Sequence, residues 1–327
     1  MPFSQILGQV SAVETLTRAL DSGKVHHAYR FEGPDGVGKE KAAFALAQCL
    51  QCEQPRVHNL ACGVCSACRR VVSLSDDVPH VSKHPDVLLV ERGLYPPATL
   101  GADSAETSTI NLPQIRKIVL SRAGYSPHEG RALVIIIRRA DELNVNAANA
   151  LLKTLEEPPD KTHFLLLTSR PHRLLDTIRS RTLAVRFAPL SDAVLEGILK
   201  KHGVTKSVIP QAGGSASLAL ALADEHDLAQ KQAFIDTMSN GLAAADLAQA
   251  LSKVDLKGSD RIELRDQLGW FAQHLAASAR ESLGSAPDES ERNARRYPLV
   301  LATMADLERN ANPALAIEAL ITRLRRI

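Results

Sequence analysis

Aromatic residues are scarce in this chain: seven Phe, four Tyr and one Trp among 327 residues, 4% in all. Alanine and leucine carry the apolar content instead, which leans toward helices and away from an all-β sandwich. Neither sign of charge dominates. The 39 Lys and Arg against 37 Asp and Glu leave a net charge of +2, so a strongly basic nucleic-acid binder is not indicated and only a local patch is possible. No run of eighteen apolar residues occurs, and the opening MPFSQILGQVSAVE lacks the basic-then-apolar layout of a signal peptide. A cytoplasmic location with no membrane partner is expected. Cysteine is missing everywhere except between positions 49 and 68, where all five fall. An odd number crowded together excludes a disulfide framework and favours a metal site. What remains is ordinary for a globular protein, 45% hydrophobic and 23% charged, with length for two or three domains.

Along the chain, residues 1–28 read as an amphipathic helix followed by a polar turn at His26-His27. Tyr29-Arg30-Phe31 enters the glycine-rich run Gly33-Pro34-Asp35-Gly36-Val37-Gly38, and Lys39 opens a helix to about Leu50. Strand, glycine loop and helix in that order is the context of a phosphate-binding loop. Further strands are expected at Asp86–Val90, Leu133–Ile137, Phe164–Thr168 and Leu183–Phe187. Helices are expected near Arg69–Leu74, from Pro113 to about Ala123, over Asn144–Glu157 with Leu151, Leu152 and Leu155 on one face, and near Leu174–Arg179. This alternation predicts an α/β doubly wound parallel sheet. The Arg92–Thr109 run, rich in Pro, Gly, Ala, Ser and Thr, reads as an exposed loop. From Pro189 onward no strand is expected. Short helices broken at Gly203, Pro210 and Gly213-Gly214 give way to longer ones, and the last opens with Asn312 as N-cap and Pro313 at its first position. Leu315, Leu320, Ile321 and Leu324 recur on it at helical spacing.

The loop Gly33…Gly38-Lys39 meets the G-x-x-x-x-G-K-[ST] pattern except at its last position, which is Glu40. The glycines let backbone N–H groups converge on phosphate, and Lys39 would reach the outer phosphates. The missing hydroxyl normally ligates Mg²⁺. A hydrolysing enzyme of this type also needs acidic residues at the end of a buried strand. After Leu133–Ile137 come Arg138 and Arg139, which neither ligate a metal nor act as a base at neutral pH. The hydroxyl and the strand-end acid of an active site share one ion, so their replacements belong close together. Glu40 and Arg138 are therefore expected to form a salt bridge in place of the metal, with charged groups within about 6 Å.

Cys62-x-x-Cys65-x-x-Cys68, with Cys52 upstream, offers four thiolates at spacings typical of a closed structural zinc site. Such a site would stabilise a small excursion that lacks a core of its own. Cys49 lies three residues before Cys52 and competes with it as a ligand. It shares a helical face with Leu46 and Leu50, however, and reads as a buried core thiol.

Together these features resemble the clamp-loader branch of the AAA+ family, in the bacterial DNA polymerase III assembly, over nearly the whole chain. The resemblance rests on His26-His27-Ala28-Tyr29 before the glycine loop, on the cysteine quartet, on the run from Asn149 to Pro159 (NALLKTLEEPP), and on Asn312-Pro313-Ala314-Leu315-Ala316. It implies an AAA+ nucleotide-binding-like domain over 1–188 with a zinc module at about 49–75, a helical lid over 189–226, and an all-α collar for oligomerisation over 227–327. It implies a five-subunit ring with gamma/tau ATPase subunits and a delta subunit, opening a sliding clamp and placing it on primed DNA. ATP sites in that family lie between subunits, each completed by an arginine from a Ser-Arg-Cys motif of the neighbour. Ser180-Arg181-Thr182 stands in that place, so Arg181 would be the finger, with Thr replacing Cys. The lid position of a second sensing arginine is Ser215-Ala216-Ser217-Leu218, which offers none, while Thr168 keeps a hydroxyl where the γ-phosphate is sensed. The resemblance thus implies a subunit that turns over no ATP and no Mg²⁺ complex of it, with degenerate nucleotide-binding residues Gly33, Gly36, Gly38, Lys39, Glu40 and Arg138 and a structural zinc. An ATP-hydrolysing motor subunit would need Ser or Thr at 40 and acids at 138 and 139. A zinc-dependent nucleic-acid-binding protein finds support in Arg69-Arg70 beside the cysteines, but so few aromatics leave little stacking surface.

Overall fold

A computed structural model describes residues 3–101, 109–129, 131–204, 208–223, 225–243, 246, 249, 261–309 and 311–327. Residues 102–108 of the Arg92–Thr109 segment expected as a loop lie outside them. Its described part contains a helical turn, Pro97–Leu100.

Five strands, β1 (Ala28–Glu32), β2 (Val87–Val90), β3 (Leu133–Ile137), β4 (Thr162–Thr168) and β5 (Leu183–Arg186), form one sheet in the order β2-β3-β4-β1-β5. Every pairing is parallel, with Glu32 opposite Thr168, Ile137 opposite Leu166 and Val90 opposite Ile137. Strand side chains alternate between faces, and here both faces are covered. Tyr29, Phe31, Val134 and Ile136 pack on one side with the Val10–Asp21 and Lys39–Gln51 helices. Leu133, Ile135, Ile137 and Phe164 pack on the other with the 112–123 and Val145–Glu156 helices. Burial on both faces explains why β3 is an unbroken aliphatic run, fully buried at all five positions. The edge strand β5 is different: Leu183, Ala184 and Arg186 are exposed and only Val185 is buried.

Helix starts follow local chemistry. The side chains of Asn111, Asn144 and Asn312 accept from the backbone N–H groups of Gln114, Ala147 and Leu315, closing helix N-termini that would otherwise have unpaired donors. The 112–123 helix carries a π-helical stretch, Ile115–Leu120.

The chain divides into two compact units, Met1–Leu220 and Ala221–Ile327. The first ends with the short helices Asp192–Lys201 and Ile209–Ala212 and most of Ala216–Ala221. The second is helical among the described residues, with Glu225–Leu242, Arg261–Glu281, Pro287–Glu308 and Pro313–Leu324 around a core that includes Phe234, Leu268, Phe271, Val300 and Leu320. On the last helix Ile317, Leu320, Ile321 and Leu324 are buried. Leu315, expected on the same stripe, is 65% exposed, because it sits in the first turn, two residues after Pro313, off the buried face. No helix among the described residues is long and apolar enough to cross a membrane.

Candidate functional site: a phosphate loop closed by its own chain

Ligands of open α/β sheets bind beyond the carboxyl ends of the strands. Here that region is a cavity of about 660 Å³, lined by the loop Asp35–Glu40, Arg138, Arg139, Thr168 and the apolar residues Ile6, Leu190, Ile198 and Leu220, among others. The loop keeps its expected form. Gly38 is the N-cap of the Lys39–Gln51 helix at φ +103°, a conformation that L side chains rarely adopt.

The loop's own groups occupy its interior. Lys39 Nζ donates to Gly33 O at 2.5 Å and Pro34 O at 2.6 Å, and lies 3.4 Å from Asp35 Oδ1. Burial pushes its pKa down, and Asp35 pushes it back up. At Gly36, with φ +74°, a Cβ would collide with the hydroxyls of Ser217 and Ser215. Ala216 N donates to Gly36 O at 3.0 Å. The segment Ser215–Leu218, which offers no sensing arginine, therefore places two serines directly on the loop.

The carboxylate at position 40 is also engaged within the chain. Arg138 Nη2 pairs with Glu40 Oε1, and Arg138 Nη1 reaches Glu91 Oε2 at 2.9 Å. The expected Glu40–Arg138 pair is thus present, with a second carboxylate on the same guanidinium. Glu91 went unnoticed in the sequence, although the signal follows from strand order: it directly follows β2, whose Val90 is level with Ile137. Glu40 also stands in the first turn of its helix, where the dipole favours negative charge.

Thr168 is 1% exposed at the end of β4. Its hydroxyl donates to Asp141 Oδ1 at 2.7 Å and accepts from Arg170 N at 3.0 Å, while Arg170 Nε donates to Asp141 Oδ2 at 2.9 Å. Its proton is committed within the chain.

Arg181 lies apart from the loop, on the turn between the Asp176–Arg179 helix and β5. Its backbone is anchored on both sides by Arg30, a buried residue of β1. Arg30 Nη1 donates to Arg179 O at 2.9 Å and to Thr182 Oγ1 at 2.7 Å. Thr182 Oγ1 in turn donates to Ile178 O at 2.9 Å. This gives the threonine at 182 a physical reason: an 8% exposed hydroxyl satisfied as both acceptor and donor. The Arg181 guanidinium is 30% exposed and pairs with Glu156.

The second cluster is the cysteine group. The Sγ atoms of Cys52, Cys62, Cys65 and Cys68 all lie within 4.8 Å of one another. Cys62 N donates to Cys52 Sγ at 3.2 Å, Cys65 N to Cys62 Sγ at 3.3 Å, and Cys68 N to Cys65 Sγ at 3.4 Å. Backbone donors aimed at sulfur favour the thiolate. The N–H groups of Val64 and Cys65 draw the Cys62 thiol down to about 6, while burial pushes Cys68 up. Four converging sulfurs, two of them buried to 0%, suit a soft, closed, tetrahedral cation site. Cys49 stands outside the group. It accepts from Ala61 N at 3.3 Å, and burial raises its thiol to about 11.

A parallel sheet with a glycine phosphate loop after its first strand and acidic or polar positions at the ends of its neighbours defines the P-loop class of α/β nucleotide-binding folds. Within that class the chain belongs to the family described as DNA polymerase III, delta subunit, whose model matches residues 8–191. These are clamp-loader subunits of the AAA+ group. Among curated relatives, the DNA polymerase III subunit delta' of Escherichia coli is 29% identical over 84% of this chain and 75% of its own length. The gamma/tau subunit of Mycobacterium bovis is 33% identical over 68% of this chain. The chain spans 36% of the length of that gamma/tau relative. A DNA polymerase III gamma subunit-related protein of Thermotoga maritima aligns at a TM-score of 0.48 and 16% identity, over 96% of this chain and 98% of that one.

Proposed function

We propose that this chain is a delta-prime-type clamp-loader subunit: it hydrolyses no ATP itself, braces a ring of subunits, and lends Arg181 to the ATP site of a neighbour. The observation that carries this reading is Arg138, whose guanidinium lies between Glu40 and Glu91 where an active site would hold Mg²⁺. A fixed cation between two carboxylates does the charge balancing of a metal but offers no exchangeable position for phosphate oxygens. Lys39 turned onto Gly33 and Pro34, and Ser215 and Ser217 against Gly36, further support an idle loop.

In this reading gamma/tau ATPase subunits and a delta subunit complete the five-membered ring, which opens a sliding clamp on primed DNA. Residues 227–327 serve as the helical collar, and residues 189–226 as the lid. Cys52, Cys62, Cys65 and Cys68 hold a structural Zn²⁺, which neutralises the thiolates and closes the 52–68 excursion. At the neighbour's site Arg181 would stabilise charge on the transferring phosphoryl group.

The test is clamp- and DNA-stimulated ATP turnover in a reconstituted ring, with this chain or its Arg181→Ala variant. The expected result is no turnover by this chain alone and a loss on the order of 10³-fold at the completed site in the variant, with assembly preserved. The gamma/tau likeness makes a motor role the second reading, and Mg²⁺-dependent hydrolysis by the isolated chain would establish it instead.

A further inference from the structure

The guanidinium of Arg181 is held more firmly than an exposed arginine needs to be. Nε donates to Glu156 Oε1 at 2.7 Å, and Nη2 pairs with the same oxygen. Nη1 donates to Thr177 O at 2.9 Å and to Ser180 Oγ at 3.2 Å. These bonds engage all three nitrogens and four of the five N–H groups that a guanidinium carries. The side chain nevertheless remains 30% exposed and its partner Glu156 48% exposed.

Stability gives little reason for this arrangement, because an exposed ion pair contributes almost nothing to folding. The placement of Glu156 is unfavourable for its own helix. It is the last residue of Val145–Glu156, with Glu157 as C-cap, so two carboxylates meet the negative end of the helix dipole. A helix end that tolerates this charge, and spends it on one arginine 25 residues further along the chain, points to a use outside the helix. The other anchors fit that use. Arg30, from β1, holds the Arg179 carbonyl and the Thr182 hydroxyl on either side of Arg181. Backbone and guanidinium are thus both oriented before any partner arrives.

We propose that Glu156 is a positioning residue for Arg181: it sets the direction in which the guanidinium leaves this chain, so that a neighbouring subunit's phosphoryl group meets an already oriented cation. This rests on the reading of Arg181 as a finger. An arginine side chain has many rotamers to lose, and orienting it in advance lowers the cost of reaching the transition state.

The experiment is a double-mutant cycle in the reconstituted ring, reading clamp- and DNA-stimulated turnover at saturating ATP, with ring assembly checked by size-exclusion chromatography. Glu156→Ala is expected to lower kcat about tenfold at the site that Arg181 completes, with KM for ATP little changed. Glu156→Gln, which keeps an acceptor oxygen for Nε, is expected to recover most of that loss. The double variant Glu156→Ala/Arg181→Ala is expected to be no slower than Arg181→Ala alone, since Glu156 acts only through that arginine. Should Glu156→Ala prevent assembly, Glu156→Asp serves in its place. Retracting the carboxylate by one methylene is expected to slow turnover several-fold, and a wild-type rate would overturn the proposal. If Arg181→Ala is slow while Glu156→Ala turns over normally, the positioning role falls and the finger stands. A double variant slower than Arg181→Ala overturns the positioning role too, because Glu156 would then act by another route. If Arg181→Ala itself turns over normally, the finger reading fails and this inference goes with it.

Discussion

The phosphate loop and the cysteine cluster lie in the same unit, and each is built around a position for a cation. At the loop, the two carboxylates Glu40 and Glu91 face a guanidinium supplied by the chain itself. At the cluster, four sulfurs converge within 4.8 Å of one another. The first site carries its cation on its own chain; the second could hold one taken from solution. A fixed guanidinium cannot be exchanged or chelated, and it cannot coordinate a phosphate oxygen as a metal does. A thiolate cluster can be emptied, and with it the local fold.

The contrast breaks most visibly at the cysteines. Metal analysis of the purified chain is expected to find about one zinc, and a chelator to unfold the 52–72 region, since structural zinc contributes roughly 10 kcal/mol or more. Cys65→Ser is expected to reproduce the effect and Cys49→Ala to leave the metal content unchanged; protein isolated metal-free and fully folded would refute the assignment.

At the loop the effects are smaller. Arg138→Ala leaves Glu40 and Glu91 facing each other without their cation. It is expected to destabilise the chain by about 1–2 kcal/mol in urea unfolding, between the ranges for exposed and buried pairs. EDTA is expected to change nothing at this site. Part of the loss should return in Arg138→Ala/Glu40→Ala, which removes the repulsion, and a double variant as unstable as the sum of the singles would separate the two residues.

The smallest effect expected is a pH dependence unrelated to either cation. Burial is the main cause that lowers the pKa of His27, His84 and His163 from the ordinary 6.5. The unfolded chain therefore takes up protons, as pH falls below about 6.5, that the folded chain refuses. The stability linked to these histidines is fully present above that pH and declines as pH falls through the lowered folded values. Comparing urea midpoints at pH 7.5 and pH 5.5 checks it. His163→Asn is expected to flatten the dependence, and an unchanged slope would remove His163 from the account.

Much of the site was legible because its motifs are short-range. The loop needs glycines at fixed intervals, and the cysteines need one turn of spacing. The Glu40–Arg138 pair was readable across 98 residues only because both positions normally serve one ion. Nothing comparable pointed to Glu91, which reaches Arg138 through the pairing of β2 with β3, or to Ser215 and Ser217, which come to Gly36 by tertiary packing. Glu156 was visible as part of a motif but not as the partner of Arg181. Thr182 read as a departure from Ser-Arg-Cys until the buried Arg30 gave its hydroxyl a role. The exposure of edge strand β5 and of Leu315 was not readable for a related reason: periodicity reports which residues share a face, not whether another element covers that face.

Backbone chemistry is local: where the chain turns at glycine, where asparagine caps a helix, which strand is aliphatic throughout, and which four sulfurs share a cluster can all be read along the chain. Those properties depend on residues within one or two turns of each other. The pairing of charges comes from packing, because a carboxylate responds to whichever cation lies within a few ångströms of it. In a parallel sheet that neighbour is set by strand order and register, and the sequence spacing of Glu40, Glu91 and Arg138 carries neither.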